Sequence, residues 1–344
     1  MVETSLRSEV FRCHSLVARY ALVTMDPTVM ALALAIERAQ NGSEGAAAAV
    51  SPIAAFQPLN SEPQGNSGAA KSSLDHCTNQ PLFFLAGEPV RIDLTAGAWL
   101  ARLRGNVAFG PLSTTHQDVN SFYGLDSLDG AFQGDLSLMW NNWTVRLTGS
   151  EFSTDATQAA TGAGAFGTTT FVLGDSLKSS FDFYSWGVDL QSWVWRPLAK
   201  QQFPWDAPST DENLGGDLQC LAIVGVRGFG VSQQVQNQTA STSSTYDNTF
   251  GSVIFGGGVN VVVDLRDRIS FLDRVEFSAV GTWGPAWPGS GASETEVRVQ
   301  LTTWITGNAG VLFGYRYTNL ELSNDGYSFS GSIAGLMVGG SLRF

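Results

Sequence analysis

The chain has 344 residues, and only 15% of them are charged, well below the roughly 25% that is usual for soluble globular proteins. The formal net charge of −12 argues against a nucleic-acid partner, because a polyanion requires a basic footprint. No apolar run approaches the roughly 18 to 20 residues of a membrane helix, and three scattered cysteines predict neither a disulfide framework nor a metal site.

Residues 1–88 differ in composition from the rest of the chain. The stretch 15–36 is moderately apolar and follows Arg12, as in a signal peptide, although Asp26 and Pro27 interrupt it. From 40 to 80, small and polar residues dominate, and these bury too little apolar area to offset the loss of chain entropy. We therefore predict an export and disordered segment at 1–88 and one folded domain at 89–344.

Alternation of apolar and polar residues recurs from Arg91 to the end of the sequence, interrupted by turn residues. Short links at 141–142, 266–272 and 307–308 fall on one end of the predicted sheet, and long links at 113–130 and 153–178 on the other. A long link at 196–216 departs from this pattern. The alternation predicts about ten antiparallel strands, with eight or twelve as alternatives, near 91–109, 131–140, 143–152, 179–195, 217–232, 247–265, 273–284, 295–306, 309–322 and 328–344.

Ionisable residues fall on one face of these strands and apolar residues on the other. In the strand 131–140, Gln133 and Asp135 alternate with Leu136 and Leu138. An Arg or Lys at the centre of a bilayer costs about 2 to 4 kcal/mol, so the charged face is predicted to line a lumen. For Arg102 and Arg104 this requires a bulge near Leu100. The predicted lumen-facing charges are Arg102, Arg104, Asp135, Arg146, Asp189, Arg227, Asp264, Glu276, Arg298 and Arg316.

Aromatic residues cluster near the two ends of the predicted strands. This distribution is typical of girdles at two membrane interfaces, whereas the alternation alone also fits a soluble sandwich. One predicted girdle contains Trp140, Trp143, Trp193, Trp195 and Trp304, of which Trp304 points inward by alternation; the other contains Tyr184, Trp186, Trp283 and Trp287.

The last strand has apolar or small residues at every second position up to a terminal Phe344. This ending resembles the closing strand of bacterial outer-membrane β-barrels. The resemblance implies an all-β, single transmembrane barrel in the outer membrane with both termini periplasmic. It also implies outer-membrane lipids and the barrel-insertion machinery as partners. The residues that would carry the insertion signal are Leu336, Val338, Leu342 and Phe344.

Two local patterns indicate other chemistry only weakly. Gly162, Gly164 and Gly167 match the spacing of a dinucleotide-binding loop, but the run lies in a Ser-, Thr- and Ala-rich link, which favours a flexible outer loop. His116 and Asp118 lie in the first long link, and ten-stranded barrels of the omptin protease family, which this chain resembles in size, use acidic residues with a histidine at the outer rim. No second acidic pair accompanies them. We predict no catalytic residue, no cofactor and no metal ligand.

The lumen of a ten-stranded barrel is narrow and largely filled by side chains. We therefore predict a non-enzymatic barrel that acts as a structural or surface-interaction protein, or as a narrow channel with a charged, largely plugged lumen. An outer-membrane hydrolase and a secreted all-β binding protein are the alternatives. The sequence does not indicate an oligomeric state.

Overall fold

The computed structural model describes residues 83–85, 88–111, 116–196, 216–265, 269, 271–288 and 291–344, with side chains from Val90 onward. All of them belong to the unit Asn79–Phe344. The predicted export segment lies outside the described residues, except for the main chain at its end, where Phe83–Leu85 forms a short strand.

Ten long antiparallel strands form a closed barrel, because the first strand pairs with both the second and the last. The all-β, ten-strand prediction is therefore confirmed for the described chain. The strands are β1 (Glu88–Phe109), β2 (Asp129–Trp140), β3 (Trp143–Ala159), β4 (Ser176–Trp195), β5 (Gly216–Asn237), β6 (Thr242–Asp264), β7 (Arg274–Trp287), β8 (Ser293–Trp304), β9 (Ala309–Asn324) and β10 (Tyr327–Arg343).

The two ends of the barrel differ in their connections. At the lower end, Asn141 and Asn142 turn the chain between β2 and β3, and the main chain of Phe344 is hydrogen-bonded to Ile92. The upper end carries the links at 110–128 and 160–175. Within the latter, Gly164–Phe166 and Thr169–Phe171 form a two-stranded hairpin. Strands β5 and β6 extend further up than predicted, to a tight turn that begins after Asn237.

The polarity of the two barrel faces inverts along the strands that continue into the upper part of the barrel, and β4 shows this clearly. In its lower part, Trp186 and Leu190 face outward while Asp189 faces the lumen. In its upper part, Asp182 faces outward and is exposed, whereas Phe183 faces inward and is buried. The lower part therefore has the polarity of a membrane-spanning wall, and the upper part has that of a water-soluble barrel.

We call the part of the barrel above Tyr184 the head; it comprises 101–109, 152–159, 176–183, 229–237, 242–250, 318–324 and 327–333. Aromatic side chains dominate its interior, and Phe229 and Phe250 stack with ring centroids 5.3 Å apart. The upper links also enter it. Its fully buried side chains include Leu103, Val107, Val119, Tyr123, Leu125, Phe166, Leu177, Phe181, Phe229, Val231, Val235, Leu320 and Ile333.

Candidate functional site

Ionised side chains cross the lumen just below the head. Arg227 on β5 extends to β8, where it contacts Glu296 and places Nη1 3.4 Å from Glu294 Oε1. Its Nη2 lies 3.4 Å from Asp189 Oδ2 on the neighbouring strand β4. Glu296 also accepts a hydrogen bond from Arg316 Nη2 at 3.0 Å. Since β5 and β8 are not adjacent in the sheet, these contacts close the lumen rather than lining it.

A second crossing joins β8 to β2. Arg298 Nη1 donates to Asp135 Oδ2 at 3.0 Å, and Arg146 Nη2 lies 2.7 Å from the same oxygen. Arg298 Nη2 is also 3.3 Å from Glu296 Oε1, which connects this crossing to the first. We call the connected set the charge layer. It contains four arginines and four carboxylates, so it is formally neutral: Asp135, Arg146, Asp189, Arg227, Glu294, Glu296, Arg298 and Arg316.

A separate ionic cluster lies at the lower end of the lumen. Arg343 Nη2 is 2.7 Å from Asp93 Oδ2 on β1, and its Nη1 is 3.0 Å from Glu276 Oε1 on β7. Arg274 Nε lies 2.9 Å from the same Glu276 oxygen. The buried Trp304 ring stands 4.1 Å from the guanidinium carbon of Arg343 and 4.9 Å from that of Arg274. A cation over an aromatic face is attracted by its quadrupole, so Trp304 helps to hold both arginines in the lumen.

Exposure inside the barrel changes along the strands. On β6, the inward Phe250 and Ile254 are buried, while the inward Gly258, Asn260 and Val262 below them are half-buried. The inner face of β6 is therefore less completely buried below the charge layer than above it. Buried ions persist when they are paired, and above them the interior of the head is mainly apolar, with buried polar side chains such as Gln233, which accepts a hydrogen bond from the Tyr327 hydroxyl at 2.9 Å.

The predicted lumen charges separate into three groups. Asp135, Arg146, Asp189, Arg227, Arg298 and Arg316 meet in the charge layer, Glu276 joins the lower cluster, and Asp264 stands at an inward position opposite Arg274. The prediction for Arg102 and Arg104 was wrong, since both are exposed on the outer face. The β1–β10 register runs without a shift from Phe109 to Asp93, so the bulge that the prediction required is absent.

Sequence reasoning missed several members of both ionic groups. Glu294 and Glu296 lie on the same face of β8 as the predicted Arg298. Glu294 precedes the predicted start of the strand at 295, and the inward residues were assigned only from Arg298 onward, which left out Glu296. Arg343 was overlooked because the last strand was considered only for its apolar positions. A complete count of inward positions would have found all three.

Large apolar side chains form a band around the outside of the barrel below the head. Eleven residues separate the exposed Tyr184 from the exposed Trp195 on β4, which corresponds to about 28 Å along the barrel axis at about 3.3 Å per residue and a tilt of about 40°. Transmembrane barrels carry an apolar band of this height. Its exposed members include Leu94, Leu100, Phe132, Leu147, Trp186, Phe255, Phe277, Trp283, Val297, Leu301, Phe313, Leu336, Val338, Leu342 and Phe344.

The upper girdle is built from aromatic rings lying over glycines. The Tyr184 ring occupies the place of a side chain at Gly230, and the Trp186 ring that at Gly228. At the lower end, only some of the tryptophans predicted to form a girdle are exposed on the outer face. Trp195 is exposed, whereas the buried Trp304 faces the lumen and Trp193 packs inside the barrel against Leu221, Ile223 and Val280.

The loop candidates serve structural roles in the upper links. Asp118 accepts hydrogen bonds from the main-chain N–H groups of Asn120 and Ser121 at 3.1 and 2.7 Å, so its carboxylate caps a turn beside the exposed His116. Burial raises the pKa of the Tyr123 phenol, which donates a hydrogen bond to Gln117. Across the described ranges, no group of three His, Cys, Asp or Glu side chains could hold a metal ion.

The glycine run at 162–167 belongs to the hairpin that covers the head. Gly167 has a φ of 61°, and its N–H donates to the Phe109 carbonyl oxygen at 2.8 Å. Ser244 Oγ accepts from the N–H groups of Thr168 and Thr169 at 3.0 and 3.1 Å. The described run thus lies in a strand and a turn, where no helix follows it, and a phosphate-binding loop requires such a helix.

No family model and no curated protein matches the sequence. Solved structures similar to the fold are bacterial outer-membrane proteins. The outer-membrane protease OmpT from Escherichia coli has a TM-score of 0.37 at 9% identity, covering 74% of this chain and 96% of its own. Two structures of Ail, the attachment invasion locus protein of Yersinia pestis, each have a TM-score of 0.29, at 12% and 10% identity. Both cover 74% of this chain, and the match covers 99% and 98% of their own chains. An outer-membrane channel from Pseudomonas putida F1 has a TM-score of 0.25 at 11% identity, and the match covers 74% of this chain and 95% of the channel's chain.

These similarities are too low to carry an argument about function. The decisive observations are the closed, even-stranded antiparallel barrel, its outer apolar band and its ionic lumen. The fold is that of a transmembrane β-barrel. In the part of the chain that the structure describes, no helix is long and apolar enough to cross a membrane.

Proposed function

We propose that the protein is a non-enzymatic, non-conducting barrel of the bacterial outer membrane whose head contacts molecules outside the cell. The observation that carries this proposal is the double closure of the lumen. The charge layer joins strands on different sides of the barrel, and the apolar core of the head lies directly above it. Water and ions would have to break buried ion pairs and then cross a packed aromatic interior.

The head supports an interaction role because its outer surface is polar and lies above the apolar band. Its outward side chains include Lys178, Asp182, Thr245 and Asp247, all of them exposed. A barrel needs only the band to stay in the membrane, so strands that continue beyond it provide a rigid platform for recognition.

Planar-bilayer recording tests the closed lumen. Protein that runs anomalously on an unboiled gel, as folded barrels do, is reconstituted and examined for current. We expect no large, stable conductance steps, and their appearance in repeated preparations of folded protein would overturn the proposal. A variant with a disrupted charge layer, such as Arg298→Ala with Asp135→Ala, serves as the comparison, since residual leakage there measures how well the head alone seals the lumen.

For orientation, we propose that the lower end faces the periplasm. The tight turn at Asn141 and Asn142 and the main-chain clasp between Ile92 and Phe344 support this assignment. Single cysteines at Thr239, in the exposed upper turn, and at Asn142 are treated with a membrane-impermeant maleimide on intact cells. We expect labelling at 239 and none at 142, and the reverse pattern would invert the assignment.

We also propose that Leu336, Val338, Leu342 and Phe344 are recognised by the barrel-insertion machinery. All four are outward and about half exposed, three of them on the last strand and Phe344 directly after it, where a binding partner can reach them. The variant Phe344→Ser is expected to lower the amount of folded barrel in membranes, while Leu301→Ser, on the same face of β8, is expected to have a smaller effect. Equal losses would remove the special role of the last strand.

A further inference from the structure

The described basic residues fall into two groups. Eight of the eleven make ion pairs: Arg91, Arg146, Arg196, Arg227, Arg274, Arg298, Arg316 and Arg343. The other three are Arg102, Arg104 and Lys178, which are exposed and have no ion pair within the described chain. Arg102 and Arg104 stand side by side on the outer face of β1, and this placement requires an explanation.

The two arginines lie where the apolar band ends. On β1, the outward Leu94 and Leu100 belong to the band, and Arg102 is the next outward residue. On the neighbouring strand β10, the outward side chains change from large and apolar to small at the same level. There, Ala334 is in register with Arg102, and Ser332 is in register with Arg104. In a bilayer this is the depth at which the hydrocarbon gives way to lipid headgroups.

The surroundings of the arginine pair make it electrostatically distinct. Elsewhere on the outer face of the head, the exposed ionised side chains are mainly acidic, including Asp155, Asp182 and Asp247. Anionic headgroups are repelled there and attracted to β1. Arginine suits this role because its planar guanidinium can bind two phosphate oxygens at once.

We propose that Arg102 and Arg104 form a lipid-binding site for the phosphate groups of membrane lipid headgroups at the upper rim of the band. The hydroxyl group of Ser332 on β10, which is in register with Arg104, adjoins the site and supplies a further hydrogen-bond donor, whereas Ser330 Oγ donates to Glu321 Oε1 at 2.9 Å. This inference rests on the membrane location proposed above, but it is independent of whether the lumen conducts.

Native mass spectrometry of the folded protein in detergent tests the site. The protein is titrated with phosphatidic acid, with diacylglycerol of the same acyl chains, and with inorganic phosphate. We expect retention of phosphatidic acid by the unmodified protein, and about 30-fold weaker retention by R102Q/R104Q. Each basic residue near an anionic surface contributes about 1 kcal/mol, and tenfold in affinity is about 1.4 kcal/mol.

The matched control is Lys178→Gln, which removes an equally exposed cation from β4, six residues above Tyr184. It should leave retention unchanged. Equal retention by R102Q/R104Q and the unmodified protein would overturn the proposal, as would equal binding of diacylglycerol or competition by inorganic phosphate at similar concentration. If the double variant is not heat-modifiable, Arg104→Gln alone is used and should lose about fivefold. Failure of the unmodified protein to fold in detergent would instead contradict the barrel itself.

Discussion

Arg298 on β8 donates to Asp135 on β2 across the lumen, with 3.0 Å between Nη1 and Oδ2. The two residues are 163 positions apart in the sequence and belong to strands that do not pair. A contact of this kind can form only after the barrel has closed, so the charge layer reports on complete assembly rather than on hairpin formation.

Glu296→Gln should destabilise the barrel strongly. The side chain is buried between Arg227, Arg298 and Arg316, so loss of its charge leaves three guanidinium groups with one fewer partner. Breaking a buried pair from one side costs about 3 to 5 kcal/mol. Urea unfolding followed by the heat-modifiable gel band measures the change. Glu151→Gln, on the exposed outer face, should stay within about 0.5 kcal/mol, and equal effects would contradict the buried layer.

Phe183→Ala should cost about 3 to 5 kcal/mol, because the ring is fully buried in the head and its loss leaves a cavity. Phe313→Ala removes the same ring from the apolar band, where it is half exposed, and should cost about 1 kcal/mol in detergent. Thermal unfolding of the two variants distinguishes them. A larger loss of thermal stability for Phe313→Ala than for Phe183→Ala would show that the head has no packed core.

Gly335→Ala should weaken the seam between β1 and β10. A Cβ at this position would lie 1.8 Å from the Leu100 carbonyl oxygen and 2.6 Å from Ala101 Cα, and main-chain atoms cannot move aside cheaply. Overpacking of this kind costs about 1 to 3 kcal/mol. Gly281→Ala is the matched control, because its Cβ would meet no atom within 4 Å. We expect Gly281→Ala to be neutral or stabilising in the same urea titration.

Ser244→Ala should loosen the hairpin that covers the head. Its Oγ accepts hydrogen bonds from the N–H groups of Thr168 and Thr169, and each such bond contributes about 1 kcal/mol. Limited proteolysis should show faster cleavage at 164–171. Ser243→Ala removes the neighbouring exposed hydroxyl and should leave the cleavage rate unchanged; faster cleavage in both variants would point to a general loss of stability.

The barrel and most of its lumen could be predicted from the sequence because a strand alternates faces with a period of two. Asp135 and Arg298 were therefore assigned to one face without knowledge of their pairing. Alternation states only which residues share a face, however, and not the depth at which that face changes environment. Asp182 and Phe183 continue the pattern of β4, yet the polarity of the faces is reversed there because water has replaced lipid outside.

The error at Arg102 and Arg104 has the same origin. The prediction assumed that charge always faces the lumen, and it introduced a bulge to keep that rule. The unbroken register of β1 with β10 shows that the rule holds only within the band. Cross-lumen partners such as Glu296 and Arg227 could not be derived from the sequence, because they depend on the curvature and stagger of the closed sheet.

Polar side chains on the outside of the head impose a kinetic condition on biogenesis. Lys178, Asp182 and Asp247 lie on the far side of the apolar band from Phe344 at the lower end, and at the bilayer centre a lysine alone costs about 2 to 4 kcal/mol. A finished barrel pushed through an intact bilayer from its lower side would have to transfer all of them at once. The translocation barrier therefore favours an assembly route in which the strands cross one hairpin at a time, through a thinned or protein-lined opening.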